Sequence, residues 1–147
     1  MTIERPGQDG LAVDTNRRLA VRWMNEVWNE RNDAAVDEIL APDVIGHMEG
    51  GNIQSPAEFR AVRDQLLSAF PDLRVRVEEV IAEGDTAALR WSVTATHTGE
   101  GLGFAPSNSE AVFRGISWMR FREGKVVEAW DSWNQGGLLQ SLRLAVK

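Results

Sequence analysis

The hydrophobic periodicity of this chain changes once, at Pro71, and that change limits the folds open to it. Before it, apolar residues recur every three or four positions; after it, they alternate. In "NRRLAVRWMNEVWNERN", Leu19, Ala20, Trp23, Met24, Val27 and Trp28 form one broad helical stripe, with Asp14 or Thr15 as N-cap. "DAAVDEIL" follows as a short helix stopped by Pro42, and "DVIGHM" as a short strand before Gly50 and Gly51. "SPAEF" opens a third helix: Ser55 caps, Pro56 takes the first helical position, and Glu58 is the capping-box acid. Its core-facing stripe is Phe59, Val62, Leu66, Leu67 and Phe70.

Beyond Pro71, "LRVRVEEVIAE" alternates through Val75 and Val77, Gly84-Asp85 makes a turn, and "TAALRWSVTATHT" puts Leu89, Trp91, Val93 and Ala95 on one side. A glycine-rich loop through Pro106 leads to "AVFRGISWMRFR", and Glu123-Gly124 turns the chain into "KVVEAWDSWN". Helices first, one short strand among them, then a long antiparallel meander: this order predicts an α+β fold with the helices on one face of the sheet. A strongly curved sheet wrapped around N-terminal helices encloses a cone, a natural place for an apolar cavity. The 147 residues suit one domain, expected over residues 14–147, behind a loose tail of residues 1–13.

A formal charge of −6 argues against nucleic acid as a partner, because neutralising phosphates takes a surplus of lysine and arginine. The absence of cysteine excludes disulfides and cysteine nucleophiles, and fits a cytoplasmic protein. No apolar run is long enough to span a membrane, and the first residues lack the apolar core of a signal peptide. His47 and His97 stand in no HExxH-like pattern, so no metal is expected. "GEGLG" precedes a proline rather than a helix, which leaves a pyrophosphate no helix N-terminus and points to no nucleotide cofactor. No G-x-S-x-G elbow is present, so Ser117 and Ser132 read as strand residues.

The residue that raises a chemical question is Asp131, in "EAWDSWNQGG". On a strand, Val127, Ala129, Asp131 and Trp133 share one face, and Val126, Glu128, Trp130, Ser132 and Asn134 the other. Both faces carry apolar bulk. Asp131 is therefore either a desolvated acid in an apolar cavity, suited to general acid–base work, or a structural acid paired with Arg90, Arg114 or a backbone amide. His47 ends a short strand and could orient a carbonyl or move a proton, while His97 reads as a loop anchor. Six tryptophans, with Met24, Met48 and Met119, could line a site for a flat apolar ligand.

The segments "NEVWNERNDAAVDEILAPDVIGH", "AFPDLRVRVEEVIAEGDTAALRWSVTATHTG" and "GISWMRFREGKVVEAWDSWNQGGLLQSLR", in this order over residues 16–143, resemble the SnoaL-like polyketide cyclases of the nuclear transport factor 2-like superfamily. That resemblance implies a cone-shaped barrel, a homodimer formed through the sheet, and a cofactor-free intramolecular aldol closure. It assigns Asp131 as the acid of the C-terminal Trp-Asp motif and His47 as the histidine after the first short strand, with Asn134 standing where many relatives carry a second acid. The expected catalytic set is Asp131, His47 and Asn134; the expected substrate-lining set is Trp28, Trp91, Trp118, Trp130, Trp133, Met48 and Arg114. A small hydrophobic carbonyl compound is the implied substrate. Chains of this type also include isomerases and epoxide hydrolases, but this one has no tyrosine to act as an oxyanion donor and no evident Asp-Arg-Asp constellation. A non-catalytic ligand-binding protein, or a dimerisation module filled by its own tryptophans, is the competing reading.

Overall fold

The first helix begins earlier than its capping pattern suggests. In the computed structural model, which describes residues 8–146, α1 covers Gln8–Arg22. Asp14 is thus inside the helix, where it pairs with Arg17 one turn on at 2.5 Å and supports the helix instead of starting it. Of the expected loose tail, residues 8–13 are helical and residues 1–7 lie outside the described residues.

From Trp23 to Asn29 the helix widens into a π-helical turn, with the Glu30 amide donating to the Asn25 carbonyl five residues back at 2.9 Å. In an α-helix, residues five apart differ by about 1.4 turns. The wider turn brings Trp23 and Trp28 to the same side instead, and both pack on Phe59, with ring centroids 4.7 and 5.8 Å away. Asn29 ends the turn by pairing its side-chain amide with Val75 as a neighbouring strand would, donating to the carbonyl and accepting from the amide at 2.8 Å each.

α2 (Asp33–Ile39) is capped by Asn32, whose side chain accepts from the Ala34 amide at 3.0 Å. It runs straight into β1 (Leu40–Met48), so Pro42 lies within a strand rather than ending a helix, at a register irregularity between Leu40 and Ile45. After β2 (Gly51–Ile53), α3 (Pro56–Ala69) starts as its capping residues dictate, with Ser55 Oγ accepting from the Glu58 amide at 3.1 Å. Buried Arg63 ties α3 to the start of α2 through an ion pair with Asp33.

Four long strands follow: β3 (Arg74–Glu83), β4 (Thr86–Thr96), β5 (Glu110–Arg122) and β6 (Lys125–Trp133). The sheet order is β2-β1-β6-β5-β4-β3, antiparallel except that β1 runs parallel to β6. The fold is therefore α+β with a curved mixed sheet, its concave face closed by the helices around a core that includes Val27, Val36, Ile39, Phe70, Leu89 and Val126.

One bulge decides how the last strand faces. At the hairpin end Phe121 pairs with Val126, but the next pair is Arg120 with Glu128, which leaves Val127 as an extra residue. Because side chains alternate, this single insertion puts Val126, Ala129, Asp131 and Trp133 on the concave face and Glu128, Trp130 and Ser132 on the convex one. A final helix, α4 (Gln135–Ala145), follows β6 although Gly136 and Gly137 stand in its first turn. Asn134 caps it, accepting from the Gly137 amide at 2.9 Å, and Leu142 docks it on the core. Among the described residues no helix is long and apolar enough to cross a membrane.

Candidate active site

Three cross-strand rows build the floor of the cone. Trp91 of β4, Gly115 of β5 and Trp133 of β6 are register partners, as are Leu89, Ser117 and Asp131 in the next row, and Val93 and Phe113 in the row before. Gly115 is what lets two indoles share its row. A Cβ there would lie 2.5 Å from the Trp91 ring and 2.7 Å from the Ser132 carbonyl oxygen. Trp91 and Trp133 accordingly meet edge to face at 6.5 Å, and Trp133 stacks on Phe113 at 4.7 Å.

Above this floor the π-turn contributes Trp23, Met24 and Trp28, α3 contributes Leu66, and β1 contributes Met48, so that the cavity wall is apolar apart from Ser117 and Asp131. About 60 Å³ of this cavity is open to the centre of a water molecule, room for a few waters. A second lobe of about 30 Å³ shares Trp23, Met48 and Asp131 with it, so Asp131 stands between the two. Through Met48, Leu66 and Trp133 the cavity meets a wider vestibule of about 330 Å³, bounded by the β1–β2 turn, α3, Leu102 of the glycine-rich loop and Gln135.

Asp131 makes one hydrogen bond among the described residues: the Ser117 hydroxyl donates to its Oδ1 at 2.6 Å. Ser117, itself buried, accepts from the Trp91 indole N–H at 2.9 Å. Desolvation by the surrounding aromatic side chains pushes the Asp131 carboxyl above the usual carboxylate range; the Ser117 hydrogen bond opposes this, and the charge of Glu49 adds to it. Neither Arg90 nor Arg114 reaches Asp131. Arg90 faces Glu79 at 3.9 Å, and Arg114 is exposed on the convex face.

Of the residues expected from sequence, the structure brings Asp131, Trp28, Trp91, Trp133 and Met48 together around this cavity. It does not bring the others there. His47 pairs with Trp130 on the convex face, where its Nε2 meets Glu128 at 2.8 Å and its ring stacks on the Trp130 indole at 5.2 Å. Trp118 and Trp130 oppose each other on that same face, and Arg120 lies 5.3 Å over Trp130. Asn134 is the exposed cap of α4. The bulge explains the division: residues adjacent on β6 go to opposite sides, and β1 is registered so that His47 follows Trp130 outward. Ser117, Trp23, Met24, Leu66 and Phe113 complete the cavity. Trp23 and Met24 were visible in the helical stripe, whereas Ser117 carried no signal until its register partner was known.

His97 anchors the glycine-rich loop. It is fully buried between Phe70 and Phe104, and its Nδ1 accepts from the Ser107 amide at 3.0 Å. That bond makes the neutral ring the Nε2–H tautomer, and Nε2 has no partner among the described residues. Burial lowers its pKa below the usual histidine value.

The fold of four helices on a six-stranded mixed sheet is shared with nuclear transport factor 2-like structures. Within that class the chain belongs to the SnoaL-like polyketide cyclase family, whose model matches residues 18–142. AclR, a candidate hydroxylase from Streptomyces galilaeus, is 33% identical over 90% of this chain and 83% of its own, with a TM-score of 0.78. A candidate SnoaL-like polyketide cyclase from Jannaschia sp. CCS1 has a TM-score of 0.83, covers 97% of both chains and is 19% identical. IdmH, a candidate polyketide cyclase from Streptomyces antibioticus, covers 87% of this chain and 98% of its own at 23% identity and a TM-score of 0.76. The last two likenesses speak for the fold alone. No curated protein matches the chain in sequence.

Proposed function

We propose that this protein is a cofactor-independent cyclase or isomerase acting on a small hydrophobic carbonyl compound, with Asp131 as general base. The observation that carries this is the desolvated Asp131 carboxyl facing an apolar cavity. Ionised, it takes a proton from the carbon next to a carbonyl, and the C–H electron pair passes into an enolate. The enolate carbon attacks a second carbonyl of the same molecule, and the resulting alkoxide recovers the proton from Asp131. Nothing is oxidised or reduced, so acid–base chemistry alone completes the cycle. Trp23, Trp28 and Trp133 line the cavity, and their indole N–H groups make no hydrogen bond to the described residues, which makes them candidates to donate to the enolate oxygen. The inner cavity takes only the reacting edge of a ligand, and the vestibule takes its bulk.

The test is hydrogen–deuterium exchange at the α-carbon of a hydrophobic aryl ketone such as propiophenone, followed by NMR in D₂O. Exchange that requires the protein and is abolished in Asp131→Asn is the expected result. Exchange unchanged in that variant removes Asp131 as the base.

The 33% identity to AclR, a candidate hydroxylase, favours hydroxylation as a second reading. A product heavier by one oxygen, labelled from ¹⁸O₂, would establish it. Saturable binding of aryl ketones with neither exchange nor oxygenation would leave a ligand-binding protein.

We further infer a homodimer formed through the convex face of the sheet. Ile45, Val112, Ile116 and Trp118 are 42–62% exposed there, apolar side chains interspersed with Arg90, Arg114 and Arg120. Light scattering should give a dimer that Trp118→Lys converts to a monomer.

A further inference from the structure

The row beneath Asp131 holds two groups whose bonding has a direction. An indole nitrogen can only donate, so the Trp91 N–H at 2.9 Å must use a lone pair of Ser117 Oγ. The single Ser117 hydrogen is then free to turn toward Asp131 Oδ1, and the 2.6 Å separation is that of a hydroxyl donating to a carboxylate. All three residues are held by the sheet: Ser117 is the register partner of both Leu89 and Asp131, and Trp91 that of Gly115. Asp131 Oδ2 has no partner among the described residues, and it belongs to a side chain that lines both lobes of the cavity.

We propose that Trp91 and Ser117 are positioning residues, forming a one-way hydrogen-bond relay that locks Asp131 Oδ1 as an acceptor and leaves Oδ2 as the oxygen that exchanges a proton with a ligand. The reasoning is steric and electronic. If the carboxyl were protonated on Oδ1, its proton would face the Ser117 hydrogen, which would lose the acceptor it has here. Protonation on Oδ2 keeps both bonds. The relay therefore supports the carboxylate against desolvation, so that the acid stays ionisable, while orienting its basic lone pairs into the cavity. Gly115 belongs to the device as well, because only a residue without Cβ leaves space for the Trp91 ring that points its N–H at Ser117.

This inference rests on the general-base reading for its catalytic meaning, but its test needs no substrate. The experiment is a carboxyl ¹³C NMR titration of Asp131 in the full chain, in the parent, Ser117→Ala and Trp91→Phe, with near-UV circular dichroism to check packing. Ser117→Ala should raise the Asp131 pKa by about one unit, a tenfold weakening of the acid. Trp91→Phe, which keeps an aromatic ring but loses the N–H together with the pyrrole part of the indole, should raise it by less, and Ser117→Thr, which keeps the hydroxyl, should hold the parent value. Infrared difference spectra should show the C=O band of protonated Asp131 at higher wavenumber in Ser117→Ala, since Oδ1 is the carbonyl oxygen that loses its donor. An Asp131 pKa unmoved in either folded variant overturns the relay. If Ser117→Ala does not fold, Trp91→Phe alone decides. A moved pKa together with full exchange activity in Asp131→Asn would keep the relay and sink the general-base reading; the reverse pair of results would do the opposite.

Discussion

Strand β6 carries two acids three residues apart, Glu128 and Asp131, and each lies among tryptophans. Glu128, on the convex face, has His47 at 2.8 Å and Arg120 at 3.8 Å, and water reaches all three side chains. Asp131, on the concave face, has a single neutral donor and is enclosed by indole and aliphatic carbon. The two sites use the same residue types. What separates them is that Glu128 has charged partners and solvent, whereas Asp131 has no charged partner among the described residues and is desolvated, which raises its pKa above the usual carboxylate range. On the general-base proposal, it is enclosure, not the presence of an acid near a histidine, that would make the carboxylate reactive.

Ala129→Glu is the severest way to break this comparison. It would add a carboxylate without a partner to the concave side of β6, opposite buried Met119, and loss of about 3–5 kcal/mol is expected. Circular dichroism and urea unfolding would check it; a variant as stable as the parent would mean that the concave face tolerates an unpaired charge as the convex face does.

The next largest effect is on chemistry. Asp131→Asn should lower turnover by about 10²–10⁴-fold, whereas Glu128→Gln should leave turnover unchanged and cost at most about 1 kcal/mol of stability. The two should also differ in pH dependence. A carboxyl whose pKa is raised by folding binds more protons in the native state, so its contribution to stability is complete at low pH and is lost as pH rises from the ordinary carboxylate range through the raised value. Asp131→Asn should therefore be more stable than the parent at neutral pH, with the advantage vanishing below about pH 4. Urea titrations across that range would read the sign directly.

Gly115→Ala should cost about 1–3 kcal/mol by overpacking, because the new methyl meets the Trp91 ring and the Ser132 carbonyl. By contrast Arg76→Ala, at a side chain of β3 that stands out in solvent, should stay within about 0.5 kcal/mol. Chemical denaturation of both variants would measure how unequal the two faces are.

The smallest effect concerns the loop that borders the vestibule. His97 is buried in its neutral form, so its folded pKa is depressed; stability is complete above the unfolded value of 6.5 and falls as pH drops through it toward the lowered value. Protonation would also set an Nδ1–H against the Ser107 amide. His97→Gln should lack this acid-side loss, and a parent whose stability is flat between pH 7 and about pH 5 would remove His97 as the anchor.

Much of the fold was legible in the sequence because its signals are local. Ser55-Pro56 starts α3 through its own hydroxyl and ring, and Glu123-Gly124 turns the β5–β6 hairpin with both residues at positive φ. The π-turn was not legible, since Trp23 and Trp28 fit an α-helical stripe equally well until Phe59 of α3 packs against both. Nor was α4, whose glycines disfavour a helix that Asn134 and the buried Leu142 nevertheless hold. The site divided in the same way. Asp131, Trp91 and Trp133 stood out as an acid and aromatics in a strand pattern, but Ser117 is an ordinary strand serine until it is set opposite Asp131.

By itself, then, the sequence determined the order of the main helices and strands as far as β6, the family, and the presence of an acid in an aromatic strand, because caps, turns and periodicity act within a few residues. The direction in which that acid points was decided only in the tertiary structure. Alternation makes facing depend on parity, a single unpaired Val127 reverses parity for every residue after it, and that bulge forms only when β6 settles between β5 and β1.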